Sequence, residues 1–177
     1  MLKTNQYKIG VFGGSFDPPH YGHLEISKIA IKKLKLNLLL WCITKKNPFK
    51  SKTYFSLSTR IKKSKSLIKK NSKIKVNCYE NRVKSSRTFN TIKYLKKKYK
   101  NAELFLIIGS DNLIQFHNWK SWKELVKLVK IVVFSRKDYD KRARKSVITK
   151  KVKNIKFIKN KLINISSTEI RKKENLF

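Results

Sequence analysis

Two histidines three residues apart stand in the stretch Phe12-Gly-Gly-Ser-Phe-Asp-Pro-Pro-His-Tyr-Gly-His23. An imidazole donates a hydrogen bond to a phosphate oxygen while neutral and adds positive charge when protonated. If a helix begins near His20, then His20 and His23 share one side of its first turn. Free N–H groups at that helix start, with the helix dipole, favour an anion. Gly13 and Gly14 lack a Cβ, so they are expected to make a sharp turn and to let their amides approach a ligand. Pro18 and Pro19 fix φ and delay the helix to about His20. A second set of anion ligands lies near the other end, in Ile165-Ser-Ser-Thr-Glu-Ile-Arg171. Ser166 and Glu169 have capping-box spacing, so the hydroxyls of Ser167 and Thr168 would face an anion at a helix start. Arg171 adds a permanent charge suited to bidentate phosphate binding. Together these residues could hold a polyphosphate and stabilise charge on it. Neither common phosphate loop is present, because the spacing makes no G-x-x-x-x-G-K-[ST] and no G-x-G-x-x-G.

The elements that must position these groups alternate along the chain. Tyr7–Phe12 reads as a buried strand, and Leu24–Leu36 carries apolar residues at helical spacing. Leu36–Ile43 is a continuous apolar run of the kind buried in a parallel sheet. Thr44–Leu57 is polar, contains Pro48 and reads as a loop. Ser58 is expected to cap a helix reaching about Lys70. Strands are expected at Lys73–Tyr79, Glu103–Ile108, Lys130–Phe134 and Asn154–Ile158. Thr88–Tyr99 is amphipathic, and short helical pieces follow Gly109-Ser-Asp111 as far as about Lys127. This alternation predicts an α/β chain: a Rossmann-like open parallel sheet with helices on both faces. In such sheets ligands lie beyond the carboxyl ends of the strands, where both glycine-containing turns fall.

Composition bounds the rest. The 177 residues suit a single domain spanning 1–177. No run approaches a membrane span, and the N-terminal segment lacks a signal-peptide layout. Cys42 and Cys78 are assigned to separate strands and form no C-x-x-C, which suggests thiols of a cytoplasmic protein. The formal net charge of +35 invites a nucleic-acid-binding reading. Against it, lysine is spread over nearly every segment, and arginine occurs only at 60, 82, 87, 136, 142, 144 and 171. With abundant Asn and Ile, that pattern also follows from AT-rich coding. A dedicated face would concentrate Arg and aromatics, so no specific nucleic acid is expected.

The stretch Gly14-Ser-Phe-Asp-Pro-Pro-His-Tyr-Gly-His23 resembles the signature of the HxGH nucleotidyltransferases, and Ser166-Ser-Thr-Glu-Ile-Arg171 is similar to that superfamily's S-S-T-x-I-R. Within it, Phe12-Gly-Gly-Ser-Phe-Asp-Pro18 and Ile107-Ile-Gly-Ser-Asp-Asn-Leu113, with Phe116 and Trp119, resemble the nicotinate-nucleotide adenylyltransferases of bacteria. Ser86-Arg-Thr-Phe-Asn-Thr-Ile92 looks like the family's S-Y-T-x-D-T-L, with Arg87 and Asn90 as departures. Asn47-Pro-Phe-Lys50 looks like its P-P-H-K, with Phe49 in place of His.

The resemblance implies adenylyl transfer from ATP to nicotinate mononucleotide; since no carboxylate cluster in the sequence suggests a fixed metal site, Mg²⁺ is expected to arrive with the ATP phosphates. The resemblance implies catalytic roles for His20, His23 and Arg171. It places Gly13, Gly14, Ser15, Phe16, Gly109, Asp111, Ser166, Ser167 and Thr168 on ATP, with Asp111 near the adenylate ribose. It places Lys50, Thr88, Trp119 and Arg136 on the mononucleotide side, with Trp119 stacking on its ring. Two alternatives stay open: a related HxGH enzyme acting on nicotinamide mononucleotide or phosphopantetheine, and a basic nucleic-acid-binding protein. Phe177 follows soon after Arg171, so the C-terminal helical part is expected to be short, with homo-oligomer packing as a substitute support.

Overall fold

The computed structural model describes residues 6–45, 53–136 and 138–159, together with Ser167 and Ile170. Six strands, β1 (Lys8–Gly14), β2 (Leu38–Ile43), β3 (Ile74–Asn77), β4 (Glu103–Gly109), β5 (Lys130–Phe134) and β6 (Ile155–Ile158), form one sheet. Its order is β3-β2-β1-β4-β5-β6, and every pairing is parallel. This is the open, doubly wound arrangement expected from the alternation. The strand order reverses between β1 and β4, which opens a crevice at their carboxyl ends.

The strands are buried on both sides and divide their residues by period two. Leu38, Leu40 and Cys42 of β2 join Leu104, Leu106 and Ile108 of β4 in one core. Leu39, Trp41 and Ile43 join Phe105 and Ile107 in the other. Helices α1 (Tyr21–Leu34) and α2 (Leu57–Leu67) supply Ile26, Ile29, Ala30 and Ile61 to the second core. On the opposite face lie α4 (Thr88–Lys98), α6 (Trp122–Leu128), α7 (Asp140–Arg144) and α8 (Val147–Lys151), contributing Ile92, Leu95, Leu125, Ala143 and Ile148. Short α3 (Glu80–Val83) follows β3, and α5 (Ser110–Ile114) with a 3-10 turn at Phe116–Asn118 follows β4. No helix among the described residues is long and apolar enough to cross a membrane.

Several local expectations are corrected. β1 continues through Gly13 and Gly14, and neither glycine has a positive φ. The sharp turn is made by Phe16, at φ 47°. Ser56, not Ser58, caps α2, its hydroxyl accepting the Thr59 N–H at 3.1 Å. Cys78 lies one residue beyond β3, and both cysteines are free. Helices α3, α7 and α8 were not anticipated. The segment 46–52, with Pro48 and Lys50, lies outside the described residues.

Candidate active site

The turn from β1 into α1 lies on the β1 side of the crevice. His20 is the N-cap residue of α1, with extended backbone (φ −147°, ψ 169°). Its N–H donates to Nδ1 of His23 at 3.2 Å, and the His23 N–H donates to the His20 carbonyl at 2.9 Å. Nδ1 of His23 therefore acts as acceptor, so the neutral ring carries its proton on Nε2. The two imidazoles lie 3.9 Å apart between ring centres.

Beneath them is an aromatic stack. Phe16 sits 4.6 Å from the His23 ring and 4.7 Å from Trp41, nearly parallel to the indole. Trp41 Nε1–H donates to Ser27 Oγ at 2.8 Å, and Ser27 Oγ–H donates to the His23 carbonyl at 2.7 Å. The first turn of α1 is thus bound to β2 by rings and by hydrogen bonds. Burial among these groups pushes the His23 imidazole well below its ordinary value, and the charges of His20 and Arg136 push it the same way. A left-handed φ at a bulky residue such as Phe16 costs about 1–3 kcal/mol and persists only where surrounding structure fixes it.

Beyond β4 and β5 a second charged group faces the crevice. Arg136 Nη1 donates to Asp111 Oδ2 at 2.7 Å. The Arg136 N–H is held by Ser110 Oγ at 2.9 Å and by Asp140 Oδ1 at 3.3 Å. Gly109 makes this pair geometrically possible. A Cβ there would stand 2.3 Å from Asp111 Oδ1 and 3.1 Å from Arg136 Cδ. At Gly13 a Cβ would meet nothing within 4 Å among the described residues.

The two sequence motifs meet. Ser167, helical in the structure, donates its hydroxyl to the Pro18 carbonyl at 3.0 Å, across 149 positions of sequence. Ser166, Thr168 and Arg171 lie outside the described residues, as does Lys50. Thr88 is half-buried at the start of α4. Trp119 stacks on Phe116 at 4.9 Å, and its buried Nε1 has no hydrogen-bond partner among the described residues.

At the carboxyl ends of β2 and β3, Lys45, Glu80, Asn81, Lys84, Ser85 and Ser86 line an open cavity of about 380 Å³. Sequence reading passed over Lys45, Glu80 and Lys84. Their position after strands of a parallel sheet was the available signal, and ordinary surface lysines masked it. Burial raises the Glu80 carboxyl, opposed by the Lys45 N–H and by the charges of Lys45 and Arg60; one of its oxygens, Oε1, has no partner among the described residues. No group of three or more His, Cys, Asp or Glu among the described residues could hold a metal ion.

A parallel sheet that reverses order beside a paired-histidine helix start defines an α/β nucleotidyltransferase-type protein. A family model described as cytidylyltransferase-like matches residues 11–173. A relative from Pelagibacter ubique (strain HTCC1062), named a probable nicotinate-nucleotide adenylyltransferase, is 47% identical over 173 residues, covering 97% of this chain and 96% of its own. Another so named, from Aquifex aeolicus (strain VF5), is 36% identical over 165 residues, covering 90% of this chain and 98% of its own. The chain belongs to the nicotinate-nucleotide adenylyltransferase family. In fold it is similar to the nicotinic acid mononucleotide adenylyltransferase of Plasmodium falciparum solved with NaAD, at a TM-score of 0.75 and 23% identity, over 94% of this chain and 83% of that one.

Proposed function

We propose that this chain transfers the adenylyl group of ATP to nicotinate mononucleotide, giving nicotinate adenine dinucleotide and pyrophosphate, a step of NAD biosynthesis. A phosphate oxygen of the mononucleotide attacks the α-phosphorus of ATP in line. One P–O bond forms to the acceptor, the bond from the α-phosphorus to its bridging oxygen breaks, and pyrophosphate leaves with that electron pair. Such transfers depend on positioning and on stabilising charge as it develops. His20 and His23 are assigned to the α-phosphate and the leaving oxygen. His23, neutral with Nε2–H as donor, acts by hydrogen bonding. Gly13, Gly14 and Ser15 are assigned to the wall beside the triphosphate, whereas Phe16, expected on ATP, is 1% exposed and supports the His23 ring from beneath; Ser166, Thr168 and Arg171 are assigned to the departing pyrophosphate. Ser167 ties that group to the histidine turn. Asp111, with Gly109 behind it, is assigned to the ribose. Thr88, Trp119, Arg136 and Lys50 are assigned to the mononucleotide.

The described residues offer no cage for a fixed metal, and the Asp111 carboxylate is already engaged by Arg136. Mg²⁺ accordingly belongs to the proposal as part of the ATP complex, and no step is built on it. A cytoplasmic location is part of the same proposal.

The observation that carries this reading is the His20–His23 pair at the head of α1, beside the strand-order reversal. The deciding experiment is pyrophosphate release from ATP and Mg²⁺ with nicotinate mononucleotide, beside nicotinamide mononucleotide and phosphopantetheine. A strong preference for the nicotinate substrate is expected. Release with a different acceptor would keep the chemistry and reassign the specificity, and no release from folded protein would overturn the proposal.

A further inference from the structure

Arg60, on the first turn of α2, is buried to 1% exposure and makes no contact that the transfer chemistry requires. Its guanidinium donates to four backbone carbonyls. Nη1 reaches Ser15 at 2.6 Å and Thr44 at 2.7 Å, Nη2 reaches Lys45 at 2.8 Å, and Nε reaches Phe55 at 3.1 Å. Those carbonyls belong to three separate segments: the histidine turn, the exit of β2 and the approach to α2. Asp17 fastens the same junction from the other side. Its two carboxylate oxygens accept the Tyr54 and Phe55 N–H groups at 2.8 and 2.9 Å. Thr44 N–H donates to the Gly14 carbonyl at 3.0 Å. A rigid planar fork can satisfy several carbonyls at once, which a lysine ammonium on a flexible stem cannot reproduce.

The Ser15 carbonyl is part of the peptide that precedes Phe16, the residue held in the left-handed region. Fixing that peptide plane fixes the start of the φ rotation at Phe16. Phe16 in turn carries the His23 ring on one side and Trp41 on the other. We infer that Arg60 is a positioning residue of the active site: its grip on the Ser15, Thr44, Lys45 and Phe55 carbonyls holds Phe16 in its turn and, through Phe16, holds His23 where the phosphate must bind. Arg60 touches neither substrate in this arrangement. It also holds the Thr44 and Lys45 carbonyls where the chain leaves β2.

Since this inference rests on the adenylyl-transfer reading, the test pairs turnover with a measurement that needs none. Arg60→Met and Arg60→Lys are compared with the unaltered protein for kcat, for KM of ATP and of nicotinate mononucleotide, and for the His23 imidazole titration by NMR. Displacing a reacting group by about 1 Å costs about a hundredfold in rate, so Arg60→Met should lose kcat on that scale. His23 should titrate closer to an ordinary histidine, and the circular dichroism of the fold should persist. Arg60→Lys should recover only part of the loss, and it carries the test if Arg60→Met does not fold. A folded variant with a lower melting temperature, unchanged kcat and KM, and an unmoved His23 titration would reduce Arg60 to a structural residue and overturn the inference. If the unaltered protein releases no pyrophosphate, the function proposal falls, and the His23 titration alone decides whether Arg60 positions that ring.

Discussion

On the β1 side of the crevice, His23 is packed against Phe16 and His20, bonded through its carbonyl to Ser27, and tied through Ser27 to Trp41. On the β3 side, Lys45, Glu80, Lys84 and Ser86 surround an open cavity, and Glu80 Oε1 lacks a partner among the described residues, as does Trp119 Nε1 in the segment after β4. The first region spends its polar groups on its own architecture, and the second keeps them for something else. This division suits the proposed chemistry. Charge developing on the transferred phosphate is best met by donors that need no rearrangement. Recognition of the acceptor can be completed by the acceptor itself, which supplies partners to groups left waiting.

The largest effect should come from breaking the rigid side. His20→Ala is expected to lower kcat by about 10²–10³-fold, as loss of one preorganised donor does, with the circular dichroism unchanged. Stopped or steady-state pyrophosphate release would measure it, and wild-type turnover would remove the histidine pair from the chemistry. Next is Gly109→Ala, which drives a methyl group into the Asp111 carboxylate and strains the Arg136 pair. A fall of about ten- to a hundredfold in kcat/KM for ATP is expected if Asp111 holds the ribose as proposed. Gly13→Ala meets no atom of the described residues within 4 Å. With melting temperature unchanged, a loss of ATP affinity in that variant reports a clash with ligand and not with the fold.

Trp119, whose Nε1 is also left without a partner among the described residues, should respond in binding more than in rate. Trp119→Ala should raise KM for nicotinate mononucleotide about tenfold, since stacking of a planar base on an aromatic ring is worth about 1–3 kcal/mol. The expected kcat change is small. A normal KM would show that Trp119 serves only its packing on Phe116.

The contrast between the two sides also explains which parts of the site could be read from sequence. The histidine turn is one uninterrupted stretch, so its strand, its prolines and its helix start were all legible in order. β5 was placed at its observed limits, Lys130–Phe134, because it is a bounded apolar run of strand length. What made the turn was not legible. Two glycines drew the expectation of a bend, yet they continue β1, and the bend falls on Phe16, where only tertiary support allows it. That support comes from Arg60, 45 positions away from Ser15, and a lone arginine on a lysine-rich helix reads as solvated. The open cavity suffered likewise, because Lys45 after β2 is far in sequence from Glu80 and Lys84, which begin and cap the four-residue α3. Helices α3, α7 and α8 span four or five residues each, too few to show a period.

Titration separates the two regions most finely, because their ionisable groups bear on stability with opposite sign. The His23 imidazole titrates below its ordinary 6.5 in the native state. Between that native value and 6.5 the unfolded chain binds the extra proton, so stability rises with pH across the window and is fully present above it. The Glu80 carboxyl is raised above its ordinary 4.5. From 4.5 up to its native value the folded chain holds the extra proton, so this contribution is present below 4.5 and is lost as pH rises through the native value. Wherever the two windows overlap, the slopes oppose each other and the dependence of the unaltered protein is muted. Glu80→Gln should steepen the rise in melting temperature with pH, by removing the opposing slope. His23→Gln should flatten or reverse it. Melting temperatures followed from pH 4 to 8 for the three proteins would show this pattern, and parallel curves would mean that the packed and open sides of the crevice do not differ electrostatically as their geometry requires.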